Sequence, residues 1–164
     1  MIRDSFIAEL KHESAMTQKI LERVPMEKKE WKPHEKSMSL GRLATHVADT
    51  VQWVSRVTTA DEFDFATGHL KSGVAADREE LMTLYQSGLD NAIKDLSTIA
   101  DEEFSKHWKV KWGNTVVFDA PKSVALRGWA YSHLIHHRGQ LSVYLRLLDV
   151  PVPGMYGPSA DEKA

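Results

Sequence analysis

Four stretches of this 164-residue chain repeat apolar side chains at the three-and-four spacing of an α-helix, and helix-breaking residues separate them. A chain with four such stripes has to bury all of them together, and a four-helix bundle does so most simply. The first stretch runs from about Asp4 to Val24, with Phe6, Ile7, Leu10, Met16, Ile20 and Leu21 broadly on one side, and Pro25 ends it. A loop through Pro33 and His34 follows. Ser37 or Ser39 can cap the second helix, which reaches about Thr59 with Leu40, Leu43, Val47, Val51 and Val54 inward. Asp61 to Ala76, holding Gly68 and Gly73, reads as a connection. Asp77, with Glu80 three residues on, opens a third helix to about Thr98, and Leu81, Leu84, Leu89, Ile93 and Leu96 point inward.

The period then changes. Trp108, Val110 and Trp112 alternate with lysines, and Gly113-Asn114 precedes Thr115-Val116-Val117-Phe118. That is the pattern of a short hairpin, although an irregular aromatic loop reads similarly. Pro121 suits the first turn of a fourth helix to about Leu148, and the Pro- and Gly-rich remainder reads as an extended tail. The expected organisation is an all-α four-helix bundle over residues 1–150, a short hairpin before the last helix, and a tail over 151–164.

Composition removes several classes of function. A net charge of −2 does not attract a nucleic-acid backbone, and no run of about 18 apolar residues offers a membrane span. Met1 to Phe6 acquires charges at once and contains no apolar signal core, so a cytoplasmic protein is expected. With no cysteine there are no disulfides, thiolate metal sites or cysteine nucleophile, and any metal must be held by His, Asp or Glu.

Eight histidines are available. His12, His34, His69 and His107 fall on polar faces or in loops, where solvated imidazoles are expected. On the fourth helix, His133 and His137 fall in one stripe with Leu126, Ala130, Leu141, Tyr144 and Leu148. Each neutral imidazole there has a donor and an acceptor to satisfy, at about 1–3 kcal/mol if either is left unpaired. One divalent cation can serve both, and so can Tyr or carboxylate partners. His46, on the same side of the second helix as Leu43, Val47, Thr50 and Val54, can face the same interior, as a third ligand or as a lone satisfied core histidine. His136 points toward the edge of the stripe. Gly139 leaves room for close approach by another element or a ligand, or serves simple helix packing, while Arg138 points about 100° from His137, solvated or structural, or toward an anion or a second subunit. Glu9-Leu10-Lys11-His12 is a Glu-x-x-His, but a di-iron bundle needs a second copy and none is found.

His133-Leu134-Ile135-His136-His137-Arg138-Gly139-Gln140 resembles the signature that closes the last helix of the DinB-like (YfiT-like) metal-binding four-helix proteins, and Leu40-Gly41-Arg42-Leu43-Ala44-Thr45-His46-Val47-Ala48 is similar to that family's first ligand motif. The resemblance covers essentially the whole chain. It implies that His46, His133 and His137 bind one divalent metal ion, nickel or zinc, and that the protein is a homodimer. Five Trp leave apolar surface for such an interface. For activity it implies a metal-dependent thiol S-transferase or hydrolase acting on a small molecule, with a low-molecular-weight thiol as one partner. A non-catalytic interaction or stress-response module is the alternative. Three imidazoles leave a coordination position open, as catalytic rather than structural sites do. Asp49, Glu13 or a backbone carbonyl could accept from the other ring nitrogens, and Trp53 and Tyr144 are placed to shape a pocket mouth, with Trp108, Trp112 and Trp129 as roof or core.

Overall fold

The computed structural model describes residues 1–68 and 73–162, so His69 lies outside the described residues. Helix α1 spans Ile2–Leu21. No side chain of its own caps it; the Asp101 carboxylate instead accepts from the Ile2 and Arg3 N–H groups at 3.0 and 3.3 Å. Helix α2, Leu40–Thr50, begins at Ser39, whose hydroxyl accepts from the Arg42 N–H at 3.3 Å. The second stripe is not one helix. It breaks at Val51 and Gln52 before α3, Trp53–Thr59, where Thr50 Oγ1 donates to the His46 carbonyl at 2.6 Å. Hydroxyls that back-bond in this way bend helices.

After a three-residue strand β1, Glu62–Asp64, helix α4 spans Arg78–Thr98. Asp77 caps it by accepting from the Glu80 N–H, and Glu80 Oε2 reaches back to the N–H of Ala76. Its buried ridge is Leu81, Tyr85, Gly88, Ala92 and Leu96, so Leu84, Leu89 and Ile93 are only half-buried. Gly88 explains the choice of face: a Cβ there would stand 2.9 Å from Val51 Cγ1, which means α4 lies directly against the break between α2 and α3.

The hairpin forms as β2, His107–Trp112, and β3, Thr115–Pro121, in antiparallel register with Val110 opposite Phe118 and a bulge after Val110. Gly113 takes a φ of +59° in the turn, which costs glycine least. The expectation of an all-α chain is corrected here. β1 pairs in parallel with β2, Phe63 opposite Val110, and makes a three-stranded sheet in order β1-β2-β3 at the side of the helices. Three residues carry no readable period; the Lys109 N–H donates to the Asp61 carbonyl at 3.0 Å and the Phe65 N–H to the Lys111 carbonyl at 2.9 Å, and Phe63 packs on Trp53, 5.0 Å between ring centroids.

The last rod is not a uniform α-helix. α5, Lys122–Ala125, runs into a π-helical stretch, Leu126–Ser132, and then into α6, His133–Leu147. The wider π turn slows the rotation per residue, so the buried ridge of α6 is Leu134, Arg138, Leu141 and Leu145, and the two histidines stand beside it rather than at its centre. The tail folds back: Pro153 is buried and Asp161 accepts from the Arg146 guanidinium at both carboxylate oxygens. Among the described residues no helix is long and apolar enough to cross a membrane.

Candidate metal centre

His46 projects from the middle of α2, and His133 and His137 from the first turn and a half of α6, directly after the π-helical stretch. His46 meets each of the other two rings edge to face, and His133 and His137 are tilted on one another. Their centroids are 4.3 Å apart for His46 and His137, 4.7 Å for His133 and His137, and 5.1 Å for His46 and His133. One nitrogen from each lies within 4.8 Å of the others, and the Nε2 atoms of His46 and His133 are 3.2 Å apart. Two nitrogens each about 2.0–2.1 Å from a tetrahedral ion stand about 3.3–3.4 Å apart, so the His46–His133 pair stands at ligand spacing and His137 completes a candidate donor set for one cation.

The remaining nitrogens fix the tautomers. His133 Nδ1 faces the Trp129 carbonyl at 3.3 Å, and His137 Nδ1 faces Gln140 Oε1 at 2.8 Å. An oxygen that only accepts requires the proton on Nδ1, which leaves each Nε2 lone pair facing the cluster. Burial, then the neighbouring His137, His133 and Arg42 charges, lowers the His46 pKa to about 4. Burial is also the main cause that lowers His133 and His137. All three are therefore neutral at pH 7, the form a metal ligand needs.

That depression sets a pH dependence for the metal-free protein. The unfolded chain takes up a proton at His46 near 6.5 and the folded one only near 4, so stability is full above 6.5 and is lost as pH falls toward 4. His46 alone accounts for up to about 2 kcal/mol at pH 5. Chelator-treated protein is expected to melt about 4–8 °C lower at pH 5 than at pH 7.5, and His46→Gln to reduce that drop. An equal drop in the variant would remove His46 as its source.

A cavity of about 140 Å³ opens beside two of the histidines, lined by Arg42, His46, Asp49, Trp53, Phe65, Trp129 and His133. Asp49 is buried, with its carboxylate 3.9 Å from the Arg56 guanidinium, and burial raises its pKa against the pull of Arg56 and Arg42.

Several sequence expectations change here. Glu13 is no partner of the histidines, because its carboxylate accepts from Arg138 at 2.5 Å and from Tyr156 at 2.8 Å. Of the readings open for Arg138 the structural one holds, since it is only 2% exposed and bonded to Glu13, Thr17 and Tyr156, and faces neither solvent nor a second subunit. Tyr144 packs on Trp31 and donates to the Met38 carbonyl, away from the cavity. Trp108 is core, Trp112 is exposed, and Trp53 and Trp129 are the two tryptophans in the cavity wall. A Cβ on Gly139 would meet open space. Glu9 pairs with Arg127 and His12 is exposed, which ends the di-iron reading. His34 and His107 are exposed, as expected. The sequence motifs contain Arg42 and Gln140 but assign neither a role, and Phe65 stands outside them; of the three roles only that of Gln140 was findable, since three residues beyond His137 is one helical turn.

The model of the DinB family matches residues 1–164. The chain belongs to the DinB family. The solved structures agree in fold: a DinB-like protein from Bacillus cereus ATCC 10987 superposes with a TM-score of 0.74 at 22% identity, covering 93% of this chain and 97% of that one. The DinB-like protein YjoA from Bacillus subtilis gives 0.67 at 18% identity, covering 90% and 95%. Among curated proteins, the uncharacterized protein YrdA of Bacillus subtilis (strain 168) is 26% identical over 161 residues, 98% of this chain and 92% of its own length. In this DinB chain the histidine cluster and the aromatic cavity share one wall, formed by His46 and His133.

Proposed function

We propose that this DinB protein is a divalent-metal-dependent enzyme acting on a small molecule, a thiol S-transferase or, as the second form of the same chemistry, a hydrolase. His46, His133 and His137 would hold the ion, zinc or nickel, both of which suit imidazole nitrogen. The observation that carries the reading is the donor set: three neutral imidazoles with no carboxylate among them leave the ion's double charge uncompensated. Bound there, the ion supplies Lewis acidity, which favours the ionised form of a thiol or water beside it.

The chain's own residues do the rest. Trp129 O and Gln140 hold the Nδ1 protons of His133 and His137, which keeps the rings aimed. Trp53, Phe65 and Trp129 exclude water from one side of the site. Asp49 sits in the same cavity, and its raised pKa brings the carboxylate nearer the working range of a general base, able to take the thiol or water proton on Oδ.

Assembly as a homodimer in the cytoplasm belongs to the same proposal, supported by the apolar side chains of Val143 and Leu147, each 57% exposed on α6. The test uses untagged protein, with its mass read by light scattering and its metal content by elemental analysis. Zinc-loaded, nickel-loaded and chelated samples are compared on a panel of thiol-transfer and hydrolysis substrates. Turnover in a loaded sample that disappears with chelator, and in Asp49→Asn falls by about 10²-fold or more, is the expected result. Equal turnover in all samples would favour a non-catalytic module.

A further inference from the structure

We infer that the cavity beside the histidines is a binding site for one flat aromatic ring carrying a single short thiol or hydroxyl substituent. The inference rests on the metal-site reading for which end of the ligand reacts, and on the cavity alone for what the ligand is.

Size comes first. At about 140 Å³ the space is close to the roughly 150 Å³ of protein cavities that take up benzene, so a single ring fills it. Shape agrees with size. Trp53 stands 5.4 Å from Trp129 and 6.1 Å from Phe65, and Phe65 stands 6.1 Å from Trp129, centroid to centroid, at interplanar angles of 42° to 54°. Three tilted faces offer a guest ring both stacking and edge contacts, which a saturated ring of similar carbon count cannot use. Trp53 is 3% exposed and packs on Trp108, at 6.3 Å, and on Phe63, at 5.0 Å, contacts that hold its ring in place.

Polarity decides the orientation. The apolar part of the lining is the three aromatic rings, and its polar part includes His46 and His133, whose Nε2 atoms are 3.2 Å apart. A ring held by the tryptophans therefore carries its substituent toward the imidazoles. Arg42 and Asp49 contribute one charge of each sign to the lining, so the cavity does not select a strongly charged ring. A neutral ring with one ionisable or hydrogen-bonding substituent fits all of these walls.

The experiment titrates benzyl alcohol, cyclohexylmethanol and 1-naphthalenemethanol into chelator-treated and zinc-loaded protein, read by the indole N–H resonances in a ¹H-¹⁵N spectrum. Benzyl alcohol is expected to shift two of the five tryptophan signals, those of Trp53 and Trp129, in both samples. Cyclohexylmethanol and the naphthyl probe are expected to bind about tenfold or more weakly, about 1.4 kcal/mol. Phe65→Trp, which fills the space from a partly buried position, should weaken benzyl alcohol by a similar factor while its circular dichroism and zinc stoichiometry stay unchanged. No shift with benzyl alcohol, or equal binding of the naphthyl probe, overturns the inference. If Phe65→Trp misfolds, the ranking of the three probes on the unmodified chain still decides. Ring binding by chelated protein that takes up no zinc would sink the metal reading and leave the aromatic site standing.

Discussion

Arg138→Met is expected to destabilise the protein by about 3–5 kcal/mol, lowering the melting temperature by about 10 °C or more. Arg138 and Glu13 are 2% and 5% exposed, and the guanidinium satisfies the Glu13 carboxylate at 2.5 Å, the Glu13 carbonyl at 2.8 Å, Thr17 Oγ1 at 3.1 Å and Tyr156 Oη at 2.7 Å. Removing it leaves a carboxylate between α1 and α6 with only the Tyr156 hydroxyl as donor among these partners. The cost comes from that stranded charge more than from the lost pair, so Glu13→Gln/Arg138→Met should recover much of the loss. Urea unfolding of the wild type, both single variants and the double variant closes the cycle. A single-variant loss below about 1 kcal/mol, or a double variant no more stable than Arg138→Met, would contradict the account. The same network ties the tail to the bundle, since Tyr156 reaches it from beyond α6.

Arg138 also marks the limit of what the sequence discloses. A uniform rotation of 100° per residue from Pro121 puts His133 and His137 at the middle of the apolar stripe and Arg138 off it. The π-helical stretch Leu126–Ser132 shifts the phase, and Arg138 takes the central position while the histidines turn to its flank. Neither the insertion nor the buried arginine has a signature in residue type, because the stretch Leu-Arg-Gly-Trp-Ala-Tyr-Ser is compatible with an ordinary helix. Local signals behaved differently. Ser39 and Asp77 cap the helices they were expected to open, and Gly113-Asn114 turns the hairpin, because caps and turns depend on a few adjacent residues. β1 was illegible for the opposite reason: Glu62–Asp64 becomes a strand only through a partner more than forty residues away. His46, His133 and His137 do converge, since a shift of phase that moves two residues of one helix together preserves their spacing.

Under the proposed metal site, metal affinity is the quantity most sensitive to single substitutions. Gln140→Leu removes the acceptor of the His137 Nδ1 proton without touching a ligand nitrogen, and losses of about 10–100-fold are the usual result of such a change. His133→Ala and His137→Ala each delete one of three donors and are expected to lose more than that, beyond about 10³-fold, with no fourth protein donor among the described residues to replace them. His136 supplies the control. It lies against His137, 4.8 Å between centroids, yet is exposed and stands outside the cluster of converging nitrogens, so His136→Ala should change affinity by no more than a few-fold. Competition against a chromophoric chelator, with zinc and with nickel on untagged protein, measures all four variants on one scale. The order His133→Ala and His137→Ala worst, Gln140→Leu intermediate and His136→Ala near wild type follows from three imidazoles sharing one ion. A His136→Ala loss equal to that of His133→Ala would mean that the ion is held at the exposed edge of α6 by adjacent histidines instead, and His46 would then be a core histidine bonded to its neighbour.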